Sequence, residues 1–147
     1  MLKRDSKGFT LIELLIVVAI IGIIAAIAIP NLLNAIDRGK QKRTMADMRS
    51  IGTAVESYAV DNNVYPVAAT VATLTGLVQP IYIKTMPAVD GWSNAFVVDS
   101  IATQYTIYST GKDGTGSTCT AGTTTTFNSE ICFINGQFLR YPAGSQQ

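Results

Sequence analysis

Residues 7–33 read KGFTLIELLIVVAIIGIIAAIAIPNLL, and the meaning of one carboxylate in that stretch, Glu13, decides the fold. Leu14 to Ile29 are all Leu, Ile, Val, Ala or Gly, and no charge occurs between Glu13 and Asp37. At about 1.5 Å per helical residue the uncharged interval spans roughly 35 Å, enough to cross a hydrocarbon core of about 30 Å. Its Leu, Ile and Val residues together favour insertion by about 5 kcal/mol, whereas an acid costs about 3 kcal/mol at mid-span and less near the end, where Glu13 lies. Insertion wins despite the acid. A leucine at that position would insert better still, so Glu13 needs a reason beyond anchoring.

A cleaved secretory signal has a basic start, an apolar run of about 7–15 residues and a small-x-small site. Lys3, Arg4 and Lys7 supply the first feature and Ala26-Ile27-Ala28 a site. The apolar run is too long for a signal, however, Pro30 sits just past the site, and helix-like sequence continues beyond it. A plain membrane anchor accounts for the length and leaves Glu13 unexplained.

Lys7-Gly8-Phe9-Thr10-Leu11-Ile12-Glu13, followed by the uncharged span and Pro30, resembles the processing site of type IV pilins and of the pseudopilins of type II secretion. The resemblance implies cleavage between Gly8 and Phe9 by a prepilin peptidase, methylation of the new amine on Phe9, and retention of the apolar segment. It also gives Glu13 a role. Either charge alone is costly in lipid or in a packed filament, and a pair is tolerable. The family resemblance implies that Glu13 meets the Phe9 amine of a neighbouring subunit during assembly, with pairing to its own Phe9 amine as the alternative before assembly. An unpaired carboxylate penalises wrong registers, so the pair sets axial alignment. The implied topology is an inner-membrane single pass, N-terminus cytoplasmic and head periplasmic. Charge does not orient the span, because Arg38, Lys40, Lys42 and Arg43 flank its far side.

Beyond the span, Met45, Met48, Ile51, Val55, Tyr58 and Ala59 recur at steps of three and four and define one helix face. Asn62-Asn63 and Tyr65-Pro66 end the pattern. One helix is therefore expected from about Thr10 to Val60, bent or loosened at Pro30, with Gly22 and Gly39 as weaker points. The basic residues 38–43 read as a solvated face beside lipid headgroups or as partners for acids of adjacent subunits. Nucleic-acid binding is not expected, since no aromatic residues interleave the basic ones.

In the remainder, Leu74–Ile83 reads as a short helix with an irregular connection, and Ala95–Val98 and Gln104–Tyr108 as strands. Asn135-Gly136 between two apolar and aromatic runs marks a hairpin. The fold class is α+β, pilin-like: a long N-terminal helix packed on a small antiparallel sheet. The expected organisation is a leader at 1–8, a transmembrane and filament-core half-helix at 9–36, an amphipathic half-helix at 37–62 and a globular head at 63–147. In the head, Val64-Tyr65-Pro66, Met86 to Asn94 and Tyr105 to Gly114 resemble, in order, landmarks of the major pseudopilin of type II secretion. One inserted residue, Gly91 and Ser93 depart from the family pattern Pro-x-Asp-Pro-Trp-Gly-Asn.

Major pseudopilins often hold calcium in the loop that follows. Calcium takes six to eight oxygens, usually with two or more carboxylates. Only Asp113 and Glu130 are near, with Ser109 as a helper, and a Thr-rich loop stands where the family has acids. No cofactor is therefore expected, with Asp113, Glu130 and Ser109 as the calcium candidates. Cys119 and Cys132 should pair if the head lies in an oxidising compartment, closing a loop worth about 3 kcal/mol; the alternative is two buried thiols. The chain has no His, the commonest general base, and no Gly-x-Ser-x-Gly, so a catalytic role is not expected. The expected function is a structural filament subunit, a major pseudopilin, with a type IV pilus subunit as the alternative. Its implied partners are other copies of itself, prepilin peptidase, the inner-membrane assembly platform, minor pseudopilins and membrane lipid.

Overall fold

The structure, a computed structural model, describes residues 8–144. Residues 1–7 of the expected leader lie outside the described residues. The chain divides into two compact units between Ile36 and Asp37, and each is taken by itself.

Helix α1 covers Leu11–Asn62 and carries Pro30 inside it. The helix runs on past Pro30, which withholds the one backbone N–H it lacks. Asn63 ends α1: it takes a left-handed φ of 60° and its N–H donates to Ala59 O at 2.8 Å, a stop that Asn tolerates well. Within the first unit no residue from Gly8 to Ile36 is buried.

In the second unit the apolar face of α1 is the floor of the core. Met45, Met48, Ile51, Ala54 and Val55 are buried, and Tyr58 packs at the margin. A five-stranded sheet lies against them, formed by β1 (Val97–Ile101), β2 (Gln104–Ser109), β3 (Gly122–Thr124), β4 (Ile131–Ile134) and β5 (Gln137–Pro142) in the order β1-β2-β4-β5-β3. Alternation along β2 turns Tyr105, Ile107 and Ser109 inward. Tyr105 and Phe133 stand at the sheet centre, and Gly52 of α1 is the notch that admits the Phe133 ring, since a Cβ there would run into it. Burial, ahead of the Glu56 carboxylate, pushes the Tyr105 phenol well above its ordinary pKa. The β4–β5 connection is Asn135-Gly136, with φ of 46° and 84°, the two positive values a type I′ turn needs.

Three elements differ from expectation. The sheet is mixed, because β3 pairs parallel to β5 (Gly122↔Arg140, Thr124↔Pro142). Only three residues long and made of Gly and Thr, β3 has no apolar alternation of its own and exists through its partner. The short helix α2 is Val71–Val78, earlier than expected, because Thr70 caps it by accepting from Thr73 N at 3.2 Å. Strand β1 extends through Asp99 and Ser100, where the buried Ser100 hydroxyl donates to Pro66 O at 2.6 Å.

The loop before β1 docks on α1 at Gly91. Its N–H donates to the Thr44 hydroxyl at 2.9 Å, and a Cβ there would strike the Lys40 backbone carbonyl. A helix backbone cannot yield as a flexible side chain does. Gly91→Ala is therefore expected to destabilise the protein by about 1–3 kcal/mol, the usual cost of overpacking. Chemical denaturation should show the lower midpoint, and an unchanged midpoint would refute the close approach.

Candidate functional site

Glu13 sits in the first turn of α1 and is engaged locally. Its Oε2 accepts from Thr10 N at 2.8 Å and from the Thr10 hydroxyl at 2.7 Å, while Glu13 N donates to Thr10 Oγ1 at 3.3 Å. This is a reciprocal capping box, which satisfies two N-terminal donors of the helix. The Thr-x-x-Glu spacing announces it in the sequence, where only the charge of Glu13 drew notice. Among the described residues the hydrogen bonds of the carboxylate all fall on Oε2, and none of those residues donates to Oε1. Gly8 and Phe9 precede the helix, both exposed, with Phe9 at 79%. Pro30 stands inside α1, well along the chain from this segment. The helix is long and apolar enough to cross a membrane. From Leu11 through Ile36 its large apolar side chains are exposed, a surface that water cannot solvate favourably and that lipid or packed helices would cover.

In the second unit a polar clamp fastens the head to α1 at Asp37. The largely buried Asp37 receives the Trp92 indole N–H at 3.0 Å and the Lys112 ammonium at 2.7 Å. Lys112, ahead of Trp92, holds the Asp37 carboxyl below its ordinary pKa. A second buried carboxylate, Asp90, shapes the loop that presents Trp92. It accepts from Trp92 N and Asn94 N, each at 2.9 Å, and from the Ser109 hydroxyl at 2.6 Å. Asn94 in turn donates to Gly111 O at 2.7 Å. Asp37 and Asp90 were not read from the sequence as organising residues. The available signal was a lone acid at the head of the basic run 37–43, and an acid two residues before the single Trp.

Cys119 and Cys132 are joined, tying the Thr-rich loop to β4. Beside the bond, Arg140 of β5 pairs with Glu130 at 2.6 Å and reaches Thr120 Oγ1 at 3.4 Å. Each of the three calcium candidates is engaged elsewhere. Asp113 Oδ1 accepts from Thr115 N at 3.0 Å and closes its own turn, Glu130 is bound to the Arg140 guanidinium, and the buried Ser109 hydroxyl is committed to Asp90. Among the described residues no group of three or more His, Cys, Asp or Glu stands together. The side chains of the three candidates are thus taken up by partners within the protein.

Two family models match the chain. One describes the prokaryotic N-terminal methylation motif, at residues 3–29, and the other the type II secretion system protein G, at residues 31–126. Type II secretion system core protein G of Pseudomonas aeruginosa is 35% identical over 127 residues, covering 78% of this chain and 89% of that protein. The core protein G of Aeromonas hydrophila is 33% identical over 131 residues, covering 80% and 91%. The type IV major fimbrial protein FimA of Dichelobacter nodosus is 53% identical over 60 residues, only 41% of this chain and 38% of its own. No solved structure matches the chain at a significant level.

Proposed function

The chain belongs to the type II secretion system protein G family, the major pseudopilins, and on that premise we propose how its parts serve as a structural subunit of a pseudopilus. The carrying observation lies in the first unit: from Gly8 to Ile36 an apolar helical surface with no buried residue, opened by a carboxylate whose second oxygen has no donor among the described residues. Lipid covers that surface before assembly and the helices of neighbouring subunits cover it in the filament. Glu13 keeps the helix capped through Oε2 and receives the Phe9 amine of a neighbour on Oε1, so cap and inter-subunit pair coexist. The head stays on the periplasmic side, where its disulfide persists. The role is non-catalytic, and the partners are further copies, minor pseudopilins, the assembly platform and the prepilin peptidase that creates the amine. Asp113 and Glu130 hold no ion in this reading; the disulfide and the Arg140–Glu130 pair fasten the loop instead. A type IV pilus role has weaker support, because the fimbrial likeness covers less than half of the chain.

The processing step is directly testable. Protein from a membrane containing prepilin peptidase is expected to lack Met1 to Gly8 and to carry one added methyl on Phe9, read by intact mass. Gly8→Val should leave the leader in place, since a branched side chain crowds the bond to be cut. A wild-type protein that keeps its leader in such a host would refute the assignment.

A further inference from the structure

Where the head begins, α1 and the β3–β5 end of the sheet enclose a groove of about 480 Å³ lined by Arg38, Gln41, Lys42 and Thr124 to Thr126. We propose that this groove binds the phosphate of an anionic phospholipid headgroup before the subunit leaves the membrane. The inference rests on the membrane-span reading and not on filament assembly.

Arg38 and Lys42 are four residues apart and share one helix face. Among the described residues neither has an ion pair, whereas Arg43 pairs with Asp47, Lys112 with Asp37 and Arg140 with Glu130. Two cations at one groove without a counter-ion call for an anion, and a guanidinium suits phosphate oxygens in particular. Thr124 is an independent observation. It is 5% exposed and its hydroxyl has no hydrogen-bond partner. A buried hydroxyl left that way is unfavourable, and a phosphate oxygen seated in the groove would accept from it. The groove has the size of a small-molecule site rather than of a cleft for a folded partner. Position along the chain selects the source of the phosphate: Arg38 follows Ile36, which closes the run of exposed apolar residues that begins at Leu11, by two positions, where a spanning helix meets the headgroup layer. Two unmatched cations favour a net anionic headgroup over a zwitterionic one.

The test uses the full chain in detergent micelles, titrated separately with dihexanoylphosphatidylglycerol, dihexanoylphosphatidylcholine and inorganic phosphate, with the amide resonances of Thr124 to Thr126 as the readout. Saturable shifts are expected with the anionic lipid, with affinity about tenfold lower or worse in the Arg38→Gln/Lys42→Gln double variant and reduced in Thr124→Val. An unchanged Trp92 indole resonance serves as the control that the double variant keeps its fold. Saturation by inorganic phosphate alone would make this a free-anion site, and equal lipid binding by the double variant would remove the groove from the interaction. Shifts that follow protein concentration instead of lipid would assign the groove to a second copy. Each of these three results overturns the proposal. Because no filament is needed, failure here leaves the pseudopilin role untouched, and a failure of assembly leaves this result standing.

Discussion

Glu13→Ala is expected to accumulate in the membrane at wild-type levels or above and yet to yield almost no filament. Insertion gains, because a carboxylate leaves the apolar interval. Assembly loses, because each incoming Phe9 amine is buried with no partner. An uncompensated buried charge costs about 3–5 kcal/mol, which lowers the equilibrium for adding a subunit by about a hundredfold or more. The Thr10–Glu13 box complicates the interpretation, since alanine also removes the acceptor for Thr10 N and leaves only the half of the box in which Thr10 Oγ1 receives the N–H of residue 13. Glu13→Gln separates the two. It keeps an acceptor for Thr10 and discards the charge, so it should cap the helix and still fail to polymerise. Cross-linked multimers in membrane fractions would measure both variants. Normal filament yield from Glu13→Gln would mean that the cap, and not the charge, is what assembly requires.

Reduction of the Cys119–Cys132 bond, or Cys119→Ser with Cys132→Ser, is expected to lower the thermal midpoint of the head by about 12–24 °C. Releasing a loop of this length restores about 3 kcal/mol of chain entropy to the unfolded state, and each kcal/mol moves the midpoint of a small domain by about 4–8 °C. That is a large share of the 5–15 kcal/mol typical of a folded domain. Near-UV circular dichroism of the full chain in detergent would follow the transition. Chelator is expected to change little, because Asp113 and Glu130 are bonded to Thr115 N and Arg140. A midpoint that collapses with chelator and ignores reductant would make the Thr-rich loop a metal site.

The sequence was most readable where one physical signal dominates. The uncharged interval from Leu14 to Ile36 and the three-four spacing from Met45 to Val55 each mark a helix, and Asn135-Gly136 marks a turn whose two positive φ values the structure bears out. What stayed hidden depends on contacts distant in sequence. Asp37 gains its meaning from Trp92 and Lys112, and no local pattern at residue 37 announces partners that far along the chain. Glycine at 91, a departure from the family pattern, is explained only by the Lys40 carbonyl beneath it. Strand β3 has too few residues to show a period, and its parallel partner follows it in the chain. The calcium candidates were close in sequence, but each side chain was already spoken for by a neighbour.

Both rims of the sheet are short: β3, three residues long, is the edge strand on one side and β1, five residues long, on the other. On one side β3 occupies the outer edge of β5 along Arg140 to Pro142, and on the other the Ala68↔Ser100 bridge blocks β1 near its end. Open strand edges invite pairing with other chains, and identical heads held side by side at high local concentration would be especially prone to it. Edges this short offer little backbone to another head, which favours association through the apolar helices over edge-to-edge pairing.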